Sequence, residues 1–335
     1  MDPAELYPMK FVPLYRERIW GGHALRDVLH RTLPETSAPI GEAWELADRE
    51  DAQSVVANGE LAGRTLGEIT ALYGRALLGR KIAKLDRFPL LVKLIDAGER
   101  LSLQVHPDAN ACRILGKGEP KTEMWYVISS YPGAKILAGL SPRTTQLQLK
   151  DLIDKPSVES VLQVYPSMPG DAYYIPSGTL HAIGAGNLLL EIQQNSDTTY
   201  RISDWGRVGA DGKPRELHLV EGLQSIDFTN RVSPRIVGAV DRVNYNRKFN
   251  VISQCPHFQV QDLRLVSPWC DDTAVQGSFH LVTAINAPVR IARRIDAPEK
   301  LRIDAGETAL IPANLGAYRI EPERTGETVV IRTTL

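Results

Sequence analysis

The sequence predicts a mainly β protein with two barrel-like domains and a few helical insertions. Short apolar, β-branched or aromatic runs recur between Gly, Pro and Asp turns, which is typical of strands. These runs include Pro89–Ile95, Leu101–Val105, Met124–Ile128, Lys135–Leu140, Ala172–Ile175 and Leu188–Ile192. Helical spacing is rarer and occurs in Leu66–Tyr73, after the candidate N-cap Thr65, in Gln146–Ile153 and in Val158–Leu162. Closely spaced strands with such insertions indicate a jelly-roll or cupin barrel.

An internal repeat predicts a second barrel. Gly170–Ser177 and Gly306–Ala313 both contain a turn glycine, an acid, an apolar strand and an Ile-Pro stop. The polar stretch Thr229–Asn246 between them is the expected boundary. We therefore expect a catalytic, metal-binding cupin domain with helical insertions over residues 1–228. A degenerate cupin-like β domain is expected over residues 229–335, because Ala317 stands at the offset where the first copy has His181.

Charge and cysteine content argue against several classes of function. The 39 Lys and Arg residues nearly balance the 40 Asp and Glu residues, so the net charge of -1 gives no field that would attract nucleic acid or an anionic membrane. Three scattered cysteines predict neither a disulfide framework nor a Cys-rich zinc site. The N-terminus has no secretory pattern, and the apolar run Phe88–Ile95 is short and contains Lys93. We expect a cytoplasmic protein that acts on a small molecule.

A polar strand face is the strongest chemical signal. Ser102, Gln104 and His106 alternate with Leu and Val residues, so on a strand they would share one face. Inside an apolar barrel such a face needs a metal or a polar ligand, because buried polar groups without partners are costly. Glu123 and His181 stand at the ends of two other predicted strands. Two His, one Glu and one Gln would suit zinc, with manganese or iron as alternatives. Any one of these residues alone is more often structural than a ligand.

Several blocks of the sequence resemble the type I mannose-6-phosphate isomerases (phosphomannose isomerases) of the cupin superfamily, in their short bacterial form. The resemblance covers most of the first two-thirds of the chain and is loose in the last third. The blocks that carry it are Trp20–Gly22, Gly41–Glu45, Pro89–Lys93, Leu101–Asp108, Gly118–Val127, Gly170–Ile183 and Glu191–Arg207.

The resemblance implies a cupin fold, one zinc ion per chain and a defined reaction. The implied zinc ligands are Gln104, His106, Glu123 and His181. The implied reaction is the interconversion of D-mannose 6-phosphate and D-fructose 6-phosphate, for which the usual enzymatic route passes through a cis-enediol. Zinc would act as a Lewis acid and template for this aldose–ketose isomerisation.

Five further residues receive substrate roles from the resemblance. Arg201 is implied to be catalytic, and Glu191 and Lys121 are implied to face the hexose 6-phosphate. The general base is Glu191, a zinc-linked water or Lys121, and the sequence does not decide among them. Ser102 and Arg207 fall where family members contact the phosphate group. Family members often have Lys at the second of these positions, and a forked guanidinium engages phosphate differently from an ammonium group.

Two other functions stay open at this stage. A cupin metalloenzyme with a different reaction, such as an iron-dependent oxygenase, would share the His and carboxylate ligands but would have no use for a phosphate site. A non-catalytic sugar-binding cupin would keep the barrel but would be expected to have lost a ligand. Free mannose or another hexose phosphate is an alternative substrate, because specificity depends on pocket shape.

Overall fold

The computed structural model describes residues 6–82, 86–153, 155–209, 212–230, 232–237, 240–253, 255–293 and 299–335. Contacts between Cα atoms divide the chain into two compact units, both of them discontinuous in sequence. Unit 1 comprises Met1–Leu14, Trp44–Leu91 and Val237–Leu335, and unit 2 comprises Tyr15–Ala43 and Val92–Ile236. The predicted division after Phe228 into a catalytic and a degenerate domain stays a prediction.

The described part of the chain is mainly strand. Up to residue 183 the strands are β1 (Met9–Val12), β2 (Leu14–Glu17), β3 (Ile40–Leu46), β4 (Asp48–Arg49), β5 (Ala52–Gln53), β6 (Val55–Val56), β7 (Leu90–Ala97), β8 (Leu103–Val105), β9 (Glu123–Ser130), β10 (Lys135–Leu140), β11 (Leu162–Pro166), β12 (Ala172–Ile175) and β13 (His181–Ile183). Beyond residue 183 they are β14 (Asn187–Gln194), β15 (Tyr200–Ser203), β16 (Arg235–Ile236), β17 (Val240–Val243), β18 (Asn246–Ile252), β19 (Gln259–Leu265), β20 (Trp269–Asp272), β21 (His280–Ala284), β22 (Val289–Ala292), β23 (Lys300–Ile303), β24 (Thr308–Ile311), β25 (Ala317–Pro322) and β26 (Thr328–Thr334).

The helical insertions are short. They are α1 (Ala24–Asp27), α2 (Leu66–Leu78), α3 (Ala109–Leu115), α4 (Gln146–Leu152), α5 (Leu219–Ser225), α6 (Thr273–Gln276) and a 3-10 helix at Pro156–Val161. Thr65 caps α2 as predicted, since its hydroxyl accepts a hydrogen bond from the Glu68 N–H and the Glu68 carboxylate accepts one from the Thr65 N–H. None of the helices that the structure describes is long and apolar enough to cross a membrane.

Unit 2 is built on two sheets. The strand order is β16-β12-β9-β14-β7-β3-β2 in the seven-stranded sheet and β11-β10-β13-β8-β15 in the five-stranded sheet. One apolar cluster contains residues of both sheets, including Trp125 and Tyr173 from the first and Ile136 and Ile183 from the second. The two sheets therefore share an apolar core, and burial of each large side chain in it contributes about 1.5–3 kcal/mol.

The opposite face of the five-stranded sheet is covered by helices. Leu103 and Val105 of β8 pack there with Leu149 of α4, and Leu223 of α5 lies against the same cluster. Alternation along the strand consequently turns Gln104 toward the interior. A strand over Leu101–Val105, as the sequence predicted, would place Leu101 on the same face as Leu103 and Val105, and this placement is wrong. Because β8 begins only at Leu103, Leu101 lies in the inner cluster instead, and its N–H donates to the Ile183 carbonyl.

Unit 1 also has two main sheets. Their strand orders are β17-β18-β19-β26-β21-β24-β1-β6 and β20-β25-β22-β23. The repeat seen in the sequence recurs here, because β24 is followed by β25 as β12 is followed by β13 in unit 2. Ala317 and His181 are the first residues of β25 and β13. The predicted mainly β, cupin-like fold is thus confirmed.

Candidate metal centre and active site

Three buried side chains of unit 2 converge between its sheets. One donor atom each from His106, Glu123 and His181 lies within 4.8 Å of the others. His106 Nε2 is 3.3 Å from Glu123 Oε2, and His181 Nε2 is 3.5 Å from Glu123 Oε1. All three side chains are almost fully buried. Glu123 begins β9 of the seven-stranded sheet, whereas the imidazoles come from the end of β8 and the start of β13 in the other sheet.

The backbone fixes which imidazole nitrogen faces the centre. His106 Nδ1 donates to the Thr198 carbonyl and His181 Nδ1 donates to the Thr179 carbonyl, both at 2.8 Å. Because a carbonyl only accepts, Nδ1 carries the proton in each ring and Nε2 presents its lone pair. Anchoring of the remote nitrogen in this way is typical of histidines that bind a metal.

A glycine turn brings the two histidines together. The Gly178 N–H donates to the His106 carbonyl at 2.8 Å, just before the chain reaches His181. Gly178 has φ +86°, a conformation that side-chain-bearing residues rarely adopt, and an added Cβ would lie 3.0 Å from Asp227 Cβ. The Pro-Ser-Gly turn that follows β12 is therefore part of what holds the centre.

Gln104 borders the three-residue group. In the five-stranded sheet it pairs with His181 on one side and Arg201 on the other, so the three side chains form a row on one face. Gln104 Nε2 lies 3.3 Å from His181 Nε2, and Gln104 Oε1 accepts a hydrogen bond from the Ser102 hydroxyl at 3.3 Å. Rotation of the amide by half a turn would exchange its oxygen and nitrogen.

Burial and neighbouring charges set the protonation states. Burial lowers the pKa of His181 to about 3, and burial together with Lys121 also lowers the pKa of His106, so both rings are neutral near pH 7. Burial alone would raise the pKa of Glu123, but the ammonium group of Lys121, 2.8 Å from Oε2, holds it well below the usual value. Neutral imidazoles and an ionised carboxylate are the states that bind a divalent cation.

The residues present fit a metal ion. Glu123 is fully buried, and its Oε1 accepts no hydrogen bond in the described part of the chain, whereas Oε2 lies 2.8 Å from the Lys121 ammonium group. Two imidazole lone pairs point at these same oxygens, an arrangement that repels unless a cation lies between them. A nitrogen and oxygen donor set of this kind suits zinc and neighbouring divalent metals.

Glu191 occupies a second buried position beside the centre. It pairs with Trp125 across β14 and β9, and its Oε2 accepts a hydrogen bond from Trp125 Nε1 at 3.0 Å. Lys93 Nζ lies 3.5 Å from Glu191 Oε1 and also 3.5 Å from Asp197 Oδ1. Burial, and then the nearby charge of Glu123, raise the pKa of Glu191.

A cavity of about 400 Å³, within the size range of small-molecule sites, lies beside the three-residue group. His106, Glu123 and His181 do not line it themselves, but Gln104 and Lys121, which contact His181 and Glu123, do. Five of the predicted site residues line it: Ser102, Gln104, Lys121, Glu191 and Arg201. Arg207, predicted to contact phosphate, is not among the lining residues. Its Nη2 donates to the Arg100 carbonyl and lies 3.3 Å from Asp204 Oδ1.

Comparisons with known proteins identify the family. Residues 9–126 match the model of the phosphomannose isomerase type I catalytic domain. The chain is 37% identical over 315 residues to mannose-6-phosphate isomerase ManA of Bacillus subtilis (strain 168), covering 94% of this chain and 96% of that relative. The chain belongs to the type I phosphomannose isomerase family. The predicted resemblance is confirmed.

Other members and structures of the phosphomannose isomerase family agree with this assignment. A protein named mannose-6-phosphate isomerase from Streptococcus mutans serotype c is 42% identical over 208 residues, covering 62% of this chain and 64% of its own. The crystal structure of the mannose 6-phosphate isomerase from Bacillus subtilis superimposes with a TM-score of 0.86 at 30% identity, covering 98% of this chain and all of that one.

The cavity is also lined by polar residues to which the sequence had assigned no role. They are Arg18, Glu42, Asp197, Thr199 and Arg215. Asp197 and Thr199 stand in the same sequence block as Arg201, so proximity to a predicted catalytic residue was an available signal. Arg18 and Arg215 lie in polar segments with no alternation, and only the tertiary structure brings them to the site.

Proposed function

We propose that this chain is a zinc-dependent aldose–ketose isomerase that interconverts D-mannose 6-phosphate and D-fructose 6-phosphate. The buried His-Glu-His group, in contact with two residues that line a polar cavity, is the observation that carries the proposal. Its support is the family membership, because a relative that is 37% identical over nearly its whole length is named a mannose-6-phosphate isomerase. The three cysteines are free, in keeping with a reducing, cytoplasmic setting in which a charged sugar phosphate is retained.

The metal in this proposal is one zinc ion per chain. Its ligands would be His106 Nε2, His181 Nε2, the Glu123 carboxylate and, after rotation of its amide, Gln104 Oε1. The chemistry that bound zinc supplies is stabilisation of the negative charge that develops on the substrate oxygens. Lys121 pairs with Glu123 at 2.8 Å and thereby holds the carboxylate in place.

Glu191 is the proposed general base. Its Oε2 is occupied by the Trp125 indole, whereas Oε1 accepts no hydrogen bond in the described part of the chain. Oε1 would remove the proton from C2 of mannose 6-phosphate to give the cis-enediol and then return it to C1, while a hydroxyl proton moves from O2 to O1. The raised pKa of Glu191 suits a base that must accept and release a proton near neutral pH.

Two cations would stabilise the charge that forms on oxygen. Burial would lower the pKa of Lys121, but Glu123 and Glu191 outweigh it and raise that pKa, so the side chain stays an ammonium group. This favours electrostatic stabilisation over proton abstraction as the role of Lys121. Arg201, half-buried beside Gln104, offers further donors to the substrate. Ser102 remains a proposed phosphate contact, since it is buried and lines the cavity.

A coupled assay tests the proposal directly. The zinc-loaded protein is mixed with mannose 6-phosphate, and fructose 6-phosphate is converted by phosphoglucose isomerase and glucose-6-phosphate dehydrogenase into an NADPH signal. We expect activity that disappears on chelation and returns with zinc. A metal-loaded protein that forms no fructose 6-phosphate would refute the function. Oxygen uptake with bound iron would instead support the oxygenase alternative.

A further inference from the structure

The positive charge in the cavity is unevenly compensated. The basic side chains that line it are Arg18, Lys93, Lys121, Arg201 and Arg215. The first three each have a carboxylate within 3.5 Å, and these partners are Glu42, Glu191 and Glu123. Along this part of the wall the charges cancel in pairs. Arg215 is also paired, with Asp204, but this carboxylate serves Arg207 as well, and Arg201 has no carboxylate partner in the described part of the chain. The cavity therefore attracts an anion most strongly where Arg201 and Arg215 lie.

Those two guanidinium groups draw on few acidic partners. Arg201 Nη1 donates to the Glu216 carbonyl at 2.7 Å, and Arg201 forms no ion pair with a carboxylate in the described part of the chain. Its Nε is buried and has no hydrogen-bond partner there. Burial, followed by the charge of Arg215, lowers the pKa of Arg201. Two guanidinium groups that repel each other at a cavity wall provide a site for an anion.

Asp204 holds Arg215 in a fixed orientation. Arg215 Nε donates to Asp204 Oδ2 at 2.8 Å, and Nη2 donates to Oδ1, so the pair is a two-bond fork. Asp204 is buried and also receives Arg207 Nη2 at 3.3 Å, so one carboxylate serves two guanidinium groups. Among the described residues, the other acidic partner of Arg207 is the exposed Glu99, at 3.6 Å. The fork leaves Arg215 Nη1 without a hydrogen bond to any described residue.

We propose that Arg215, held by Asp204 and acting together with Arg201, binds the phosphate group of the sugar phosphate. This inference rests on the proposed function. Arg207, which stands at the sequence position where the family contacts phosphate, lies outside the cavity lining and supports the site through Asp204. Asp204 is then a positioning residue. The Ser102 hydroxyl lines the same cavity and is a further proposed donor to the phosphate.

The test compares Arg215→Gln with Arg207→Gln, since each substitution removes one positive charge from the same Asp204 network. For Arg215→Gln we expect KM for mannose 6-phosphate to rise about 10- to 100-fold, the fold-change equivalent to losing a hydrogen bond to a charged group. The inhibition constant of inorganic phosphate should rise by a similar factor, while kcat falls less and bound zinc is unchanged. Arg207→Gln should raise both constants by less.

Several results would overturn the proposal. One is that Arg215→Gln leaves both KM and the inhibition constant of phosphate unchanged. Another is that Arg207→Gln raises these two constants more than Arg215→Gln does. If Arg215→Gln loses its zinc or unfolds, the test uses Arg215→Lys, because lysine keeps the positive charge but cannot form both hydrogen bonds to Asp204. An unaltered inhibition constant of inorganic phosphate in Arg215→Lys counts against the proposal. If the wild-type protein does not isomerise mannose 6-phosphate, the proposed function fails by itself. In that case the role of Arg215 is still tested by the binding of inorganic phosphate to wild type and Arg215→Gln, monitored by 31P NMR.

Discussion

Replacement of Trp125 by phenylalanine would test how the proposed base is held. The Trp125 side chain is fully buried, its Nε1–H donates to Glu191 Oε2 at 3.0 Å, and its ring meets His181 edge-on at 5.2 Å between centroids. Phenylalanine keeps an aromatic ring at this position but has no N–H. The substitution therefore removes one donor from a carboxylate that is only 3% exposed.

The size of the effect follows from that hydrogen bond. A bond to a charged group contributes about 1.5–3 kcal/mol, and loss of the donor leaves a buried acceptor without it. Trp125→Phe should lower the free energy of unfolding by this amount, beyond the cost of the smaller ring. Trp20→Phe measures the cost of the smaller ring alone. Trp20 lies in the same apolar cluster, and its indole makes no hydrogen bond to a described residue. Urea unfolding of the metal-free proteins gives both values.

The kinetics of Trp125→Phe provide a second measurement. A misplaced base lowers kcat by about 10- to 100-fold. The indole stabilises the ionised form of Glu191, so its loss raises the pKa of this carboxyl further. Since a base must be ionised to act, the acid limb of the profile of kcat/KM against pH should move to higher pH. An acid limb and kcat equal to those of wild type, with an unfolding penalty no larger than that of Trp20→Phe, would refute the reasoning.

Three further predictions concern the metal centre and its support. His106→Ala and His181→Ala should each lose bound zinc together with activity, measured by mass spectrometry of the metal; retention of a full equivalent would contradict the ligand set. Arg201→Ala should keep zinc but lose about 100-fold in kcat, as expected when a charge-stabilising group is removed, and normal turnover would exclude its role. Gly178→Ala should lower the free energy of unfolding by more than Gly133→Ala. Both glycines have φ +86°, but only at Gly178 would the added Cβ meet neighbouring atoms. Equal losses in urea unfolding would show that this close approach is not important.

Local patterns predicted those parts of the fold that depend on neighbouring residues. The Gly-acid-strand-Ile-Pro repeat correctly indicated β12 and β24, and it aligned His181 with Ala317 as the first residues of the next strands. Alternation turned Gln104 to the interior because Leu103 and Val105 require an apolar surface. It failed at Leu101, where the extended pattern continues in sequence but the strand has not yet begun.

Contacts between distant segments could not be predicted in this way. The hydrogen bond from Trp125 to Glu191 depends on the register of β9 against β14, and no spacing within either strand determines which strands pair. Arg215 is a stronger example, because its segment has neither alternation nor a motif. A role for Arg215 is indicated by the Asp204 carboxylate, which it shares with Arg207, and by the cavity that it lines together with Arg201.

The two sheets of unit 2 contribute different chemistry, and their packing determines how these groups meet. The five-stranded sheet supplies the row His181, Gln104 and Arg201, whereas the seven-stranded sheet supplies the carboxylates of Glu123 and Glu191. A slip of β8 by one residue would turn Gln104 toward the helix-covered face and break the row. Such a slip is opposed by the outer apolar cluster, which would lose two fully buried side chains at about 1.5–3 kcal/mol each. The apolar residues of β8 therefore fix the register that places Gln104 in the row with His181 and Arg201.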